Sequence, residues 1–227
     1  MHTRVILHNS VSVDGAFRGF EVDMGEHYRV VGRFAADVYL VGSATALAGI
    51  GIYNPEIPAE EESDFRKPDR PEGLSWWVIP DSTGRLQGLL HIFRRFEYCR
   101  DVIIFVSRST PAGYLRYLEE RGYYYIVAGE VKTDLREAFG ILRARYDVRT
   151  ILADTGTTLG NVLLREELVD ELSLLVHPLL AACGDDTLFA PLIDPGGLEL
   201  ISCETRPGGL VHLHYKLGPG NEAQPMT

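Results

Sequence analysis

Apolar and polar residues alternate from Arg4 to Val13, and this run, rich in Val, Ile and Leu, stops at Asp14-Gly15, the pattern of a buried strand closed by a turn. A helix is expected over Glu26–Ala36, a second strand over Val38–Gly42, and a short helix from Ser43, directly after that glycine. Between Gly49 and Ser75, prolines at 55, 58, 68 and 71 and the run Glu60-Glu61-Glu62 interrupt every periodicity. A long loop is expected there, either mobile or functional. Trp76–Pro80 resumes as a strand, whereas residues 86–100 fit neither period. Beyond Asp101, strands at 102–106, 123–127, 149–153 and 171–176 alternate with helices at 112–120, 134–146 and 157–167. That alternation implies a mainly parallel sheet with helices on its faces. Leu198–Glu204 and Leu210–Leu217 then alternate on either side of Thr205-Arg206-Pro207-Gly208-Gly209, a hairpin signal. The expected class is α/β, with a mixed, mainly parallel sheet, flanking helices and a C-terminal antiparallel hairpin. One domain is expected over 1–218, with a flexible tail at 219–227.

Composition narrows the function classes. An apolar share of 45% and a charged share of 24% are globular values, and no run of about 18 apolar residues is present to span a bilayer. The apolar stretch near the N-terminus is too short for a signal peptide, and Cys99, Cys183 and Cys203 are odd in number and widely spaced. A cytoplasmic protein with reduced thiols is expected. The net charge of −10 argues against nucleic-acid and anionic-membrane partners, which reward clustered Lys and Arg. It leaves room for an anionic ligand at a helix N-terminus.

Candidate chemistry gathers where strands end. Asp154-Thr155-Gly156-Thr157-Thr158-Leu159-Gly160 passes from a strand into a helix, and its free N–H groups, hydroxyls and glycines suit phosphate oxygens as well as they suit an ordinary threonine cap. It fits neither the dinucleotide fingerprint nor the P-loop pattern. Gly42-Ser43-Ala44-Thr45 and Ser107-Arg108-Ser109-Thr110 repeat the hydroxyl-rich junction at two further strand ends, where open α/β sheets bind ligands. Arg108 reads equally as a phosphate partner or a solvated cation. Asp14 and Asp154 are candidate polar anchors, with turn and cap roles as the alternatives. Of seven histidines, only His212 and His214 are ligand-spaced, and no third ligand lies near them in sequence, so no metal is expected. Neither a nucleophile elbow nor a Cys/His nucleophile pattern is present.

Several of these pieces run in the order of one family. Ser12-Val13-Asp14-Gly15, Val41-Gly42-Ser43-Ala44-Thr45-Ala46-Leu47, Asp81-Ser82-Thr83-Gly84-Arg85-Leu86, Ser107, Asp154-Thr155-Gly156-Thr157-Thr158-Leu159, Leu168-Val169-Asp170-Glu171-Leu172 and Val176-His177-Pro178-Leu179-Leu180 together resemble the pyrimidine reductases of riboflavin biosynthesis. The resemblance covers nearly the whole chain. It implies a dihydrofolate-reductase-like fold, a homodimer and NADPH as hydride donor. The implied substrate is a ribosylaminopyrimidine 5′-phosphate, reduced to its ribitylamino form. By motif position, Gly42, Thr45, Ser107, Gly156, Thr157, Thr158, Leu159 and Gly160 would contact the cofactor. Asp14, Arg85 and Asp154 would contact the substrate. Asp154, standing where the family has a glutamate, is the candidate catalytic residue. Three departures are visible: Ala16 where the family has Lys or Arg, Gly49-Ile50-Gly51 where it has Asp-Asp-Pro, and Ala182-Cys183 in place of a small glycine-containing turn. They favour, as the alternative, a dihydrofolate-reductase-like oxidoreductase acting on another small molecule. A nucleotide-binding dimer without catalysis is a third reading.

Overall fold

The computed structural model describes residues 2–53, 56–181, 188–189 and 196–220. The expectations at Ala182-Cys183 and at 221–227 lie outside the described residues. In chain order the elements are β1 (Arg4–Ser12), α1 (Met24–Gly32), β2 (Val38–Leu40), α2 (Ser43–Tyr53), β3 (Ser75–Pro80), α3 (Leu90–Arg94), β4 (Cys99–Val106), α4 (Ala112–Glu120), β5 (Tyr124–Val127), α5 (Leu135–Tyr146), β6 (Thr150–Asp154), α6 (Thr157–Arg165), β7 (Glu171–His177), β8 (Gly196–Thr205) and β9 (Val211–Gly220). The chain divides into two compact units, one holding residues 36–151 and the other residues 4–35 with the chain from 152 onward. Among the described residues no helix is long and apolar enough to cross a membrane.

In the first unit, β5, β4, β3 and β2 lie side by side and parallel, as the alternating pattern requires. Ile79, Val102, Ile104 and Val106 pack with Leu86, Leu90, Tyr114 and Leu118 in its core. The expected loop begins later than the pattern suggested, because α2 continues through Gly49-Ile50-Gly51 to Tyr53. Its acidic part is held down. Glu60 accepts from the Arg121 guanidinium at 2.8 Å and from the Tyr117 hydroxyl at 2.9 Å, while Asp64 accepts from Arg95 Nε at 2.9 Å. The His91 ring donates to the Pro58 carbonyl at 2.8 Å.

Arg94 anchors the inner end of that loop. Its buried guanidinium donates to Asp101 at 2.8 Å, to the carbonyls of Asp64 at 2.7 Å and Arg121 at 2.8 Å, and lies 3.7 Å from the Tyr123 ring centroid. Burial is the largest influence on Asp101 and raises its carboxyl above the usual range despite the pull of Arg94.

The second unit orders its strands β6-β1-β7-β9-β8. β1 and β7 are parallel, and β9 runs antiparallel to both β7 and β8, so the expected terminal hairpin is present. The stretch Leu168-Val169-Asp170-Glu171-Leu172 joins these strands. Asp170 accepts from the Val5 amide at 2.7 Å and gives its carbonyl to Leu217 N at 2.8 Å. Glu171 takes a two-pronged bond from Arg4 at 2.6 and 2.7 Å and a third from His214 at 2.7 Å.

Behind this seam the core is polar. The Ser173 hydroxyl lies 2.9 Å from His8 Nδ1 and 2.8 Å from His212 Nε2, all three residues being buried. One hydroxyl proton can serve only one of these rings, so the other ring must donate to the serine oxygen. Burial is the chief cause of lowering for both rings, bringing His8 to about 3 and His212 to about 4.

Two predictions follow from these buried groups. Asp101→Ala leaves the Arg94 charge buried without its carboxylate and should cost about 3–5 kcal/mol in urea unfolding; a loss below about 1 kcal/mol would show that the pair is dispensable. His8 and His212 titrate lower in the folded chain than their ordinary value of 6.5, so the unfolded chain binds protons first. Their contribution is whole above pH 6.5 and drains as pH falls toward 4 and then 3. Each should add a slope of about 1.4 kcal/mol per pH unit within its window. Denaturation midpoints measured against pH should flatten in the His8→Asn, His212→Gln pair of substitutions; an unaltered slope counts against this assignment.

Candidate active site

Three of the expected junctions emerge at one end of the first unit's parallel strands. Leu40 is in register with Val78, and Pro80 with Phe105, so the residues following β2, β3 and β4 leave the sheet at the same end. The Gly42 carbonyl accepts the first helical bond of α2, from Ala46 N at 2.8 Å, and Thr45 sits half-buried in that first turn. After β3, the Asp81 carboxylate accepts from the amides of Arg85 and Leu86 at 3.0 and 2.9 Å and from the Tyr114 hydroxyl at 3.0 Å. The Arg85 backbone therefore closes a turn, while its side chain is exposed.

Ser107 is buried after β4, and its hydroxyl donates to the Val131 carbonyl at 3.1 Å. That carbonyl is delivered by a tight turn at Gly129, whose φ is +77° and where an added Cβ would meet Lys132 O at 2.3 Å. Only glycine fits there. Thr110 Oγ1 donates to Ser82 O at 2.9 Å, tying the junctions after β3 and β4 together. Arg108 pairs with Glu130 at 3.0 Å.

The remaining candidates lie in the second unit. Asp14 is exposed beyond β1 and accepts from the Ser12 hydroxyl and from the Ala181 amide at 3.1 Å, which holds the turn after the strand. Asp154 ends β6 with 27% of its side chain exposed, enough to meet a ligand. Helix α6 begins at Thr157 with Gly156 as its N-cap, so the cap is not a threonine. The cap residue has no side chain of its own and no acid occupies the helix's first turn, which suits the positive helix end to an anion. Thr157 is half-buried and Thr158 exposed, while Gly160 is buried, with a Cβ position 3.6 Å from Leu7.

One residue that the pattern did not single out completes this end of the second unit. His27 Nε2 is 3.1 Å from Asp154 Oδ2, and His27 Nδ1 is 3.0 Å from the Ser10 hydroxyl. Burial works to raise the Asp154 carboxyl. The hydrogen bond from His27 outweighs it and holds the group below the usual carboxylate range. As a carboxylate, Asp154 can only accept, so His27 Nε2 carries the proton of that bond. The ring stands between Ser10 and Asp154, with the His8 ring 4.6 Å away and tilted over it.

Helix α1 sets that position. Asp23 caps it by accepting from Glu26 N at 2.9 Å, and the helix buries Glu26, His27, Val30 and Val31, two neighbouring rows at four-residue spacing. Buried Glu26 is held in turn by Arg29 and, at 3.0 Å, by Arg206. The one available signal was the row His8, Ser10, Ser12 following the apolar run Val5-Ile6-Leu7 on the first strand. Polar residues at alternate positions mark one face of β1 and call for polar partners across from it. His212 and His214, read from spacing as sharing a strand face, do so, and their rings bond to Ser173 and Glu171.

The comparisons with known proteins bear on the family and the fold. The family model for the RibD C-terminal domain matches residues 3–211. No curated protein matches the chain. Among solved structures, a pyrimidine reductase-like protein from Corynebacterium diphtheriae is similar with a TM-score of 0.69 at 19% identity, over 96% of this chain and 92% of that one. The riboflavin biosynthesis reductase Rib7 of Saccharomyces cerevisiae gives a TM-score of 0.65 at 17% identity, over 96% and 90%. A dihydrofolate reductase from Enterococcus faecalis gives 0.51 at 9% identity, over 95% and 97%, so the mixed, mainly parallel sheet with its antiparallel end is of the dihydrofolate-reductase-like kind. Matched over residues 3–211, the chain belongs to the RibD C-terminal domain family.

Proposed function

We propose that the protein is an NADPH-dependent reductase of riboflavin biosynthesis, acting on a ribosylaminopyrimidine 5′-phosphate and leaving the ribitylamino product. The match of residues 3–211 to the RibD C-terminal domain carries this reading. The named activities of the Corynebacterium and yeast proteins support it, and the Enterococcus enzyme was solved with NADP(H). When bound, the nicotinamide would supply a hydride to C1 of the ring-opened sugar. Net reduction of the imine also consumes one proton.

The chain's own part is to bind, orient and balance charge. The start of α6, with Thr157 and Thr158 and no acid in its first turn, suits cofactor phosphate. Gly42, Thr45, Ser107, Leu159 and Gly160 are assigned to the cofactor by motif position. Asp14 and Arg85 are assigned to the substrate in the same way. Asp154, partly exposed and held as a carboxylate, is suited to face the positive charge of a protonated imine rather than to donate a proton. Exposed Leu198, Leu200 and Ile201 on the edge strand β8 support a homodimer through that edge. The free thiols of Cys99 and Cys203 suit a cytoplasmic setting.

A specific observation favours a second reading, reduction of a different small molecule. Ala16 is fully buried at the position where related reductases carry a cation, and a Cβ at Gly49 or Gly51 would meet nothing, so packing does not demand those glycines. Turnover of the pyrimidine phosphate set against other imines and carbonyls separates the two readings.

NADPH at about a hundred times its dissociation constant should stabilise the folded chain by about 2.7 kcal/mol, read as a thermal shift. No shift would remove the reductase reading. Gly156 has φ −75°, open to any residue, so Gly156→Leu should fold normally yet weaken NADPH at least about tenfold; undiminished affinity places the phosphates elsewhere. Asp154→Asn should lower kcat/KM for the pyrimidine phosphate by about tenfold or more while leaving the NADPH dissociation constant nearly unchanged.

A further inference from the structure

We infer that His27 is a positioning residue for the reaction: its Nε2–H, oriented by α1 and Ser10, aims the Asp154 carboxylate at the end of β6 toward the cationic form of the substrate. This rests on the reading that Asp154 meets the substrate. The geometry supplies each part. His27 is 95% buried, so it does not itself reach a ligand, whereas Asp154 keeps 27% of its side chain exposed. The single bond from Nε2 to Oδ2, at 3.1 Å, links the hidden ring to the accessible group.

The ring has little freedom to do otherwise. Ser10 holds Nδ1 from β1, the Tyr28 ring stands edge-on at 5.2 Å from the same helix, and the His8 ring covers it at 4.6 Å. The charged and titratable groups facing His27 are Asp154 from β6, His8 from β1 and, on its own helix, Tyr28 and Glu26. Glu26 is neutralised by Arg29 and Arg206, and His212 of β9 lies beyond His8. His8 is neutral through the ordinary pH range, so it lies tilted against His27 without competing for Asp154. The carboxylate is thus the acceptor that the Nε2 proton faces, and the pair carries the local charge.

The division of labour is concrete. Asp154 supplies the negative charge that a protonated imine needs, and His27 keeps that charge from being lost to protonation and from swinging out of place. Removing the ring's donor should therefore change the pH at which Asp154 works as well as the rate.

The experiment pairs a measurement without substrate with one under turnover, on the full chain. In the first, the 13C signal of the Asp154 carboxyl is titrated in the wild type, in His27→Leu and in His27→Gln, whose amide can still donate. The midpoint should rise by about one pH unit or more in the leucine variant and return toward the wild type in the glutamine variant. In the second, the acid limb of kcat/KM with NADPH and the ribosylaminopyrimidine phosphate should move upward by the same interval in His27→Leu. The rate constant should fall about tenfold, and glutamine should restore most of both. A purely structural role would lower the melting temperature without moving either midpoint. An unmoved carboxyl titration in His27→Leu, or in His27→Gln against wild type should the leucine variant not fold, overturns the link between the two residues. A carboxyl that moves while the kcat/KM limb stays put overturns the positioning role; absence of any wild-type turnover instead overturns the substrate reading, and with it the reaction that His27 is inferred to serve.

Discussion

A carboxylate at the end of a buried strand has to be met by a donor, because desolvation alone would push it toward the neutral acid. In this protein the donor comes from a helix far away in sequence. His27 lies 127 positions before Asp154, and its approach depends on where α1 sits. The helix is therefore fixed from several sides: by the Asp23 cap, by Val30 packing with Leu175 and Leu210, and by Arg206 on the buried carboxylate of Glu26. Each is an ordinary folding interaction. Together they convert helix placement into the charge state of one side chain.

The same economy runs through both units. In the first, Arg94 gathers Asp101 and the carbonyls of Asp64, Arg121 and Gly122 around one guanidinium, so a single buried cation ties α3, β4 and the loop before β3 together. In the second, Ser173 is shared between His8 and His212, and Glu171 between Arg4 and His214. Such centres stabilise modestly when complete and cost heavily when one member is lost, since the survivor stays buried. They make the interior specific about which strand lies beside which.

How much of this could be read beforehand follows from the range of each interaction. The strands and helices after Asp101 fell where periodicity placed them, the helices burying one face and the central strands reading as short apolar runs. The helix Leu90–Arg94 did not announce itself, since five residues are too few to establish a period. Gly49 and Gly51 looked like the opening of a loop, yet α2 runs through them, apolar neighbours such as Ile50 tolerating the loss of propensity. Asp154 was marked as a candidate by its motif. His27 was not, because nothing local distinguishes a histidine aimed at a carboxylate from one that fills a core; only the fold brings the two together. The loop around Glu60 read as either mobile or functional, and the cations that hold it, Arg95 and Arg121, lie well downstream.

The shared hydrogen bond also shapes how this site can change over generations. The resemblance read in the sequence implies a glutamate where this chain has Asp154. Lengthening the side chain here by one methylene would drive its carboxylate into a ring that Ser10, His8 and Tyr28 prevent from retreating. Shortening or removing the ring first would leave the aspartate without its donor. Positions 27 and 154 thus meet across one bond, and a substitution at either alters the setting of the other.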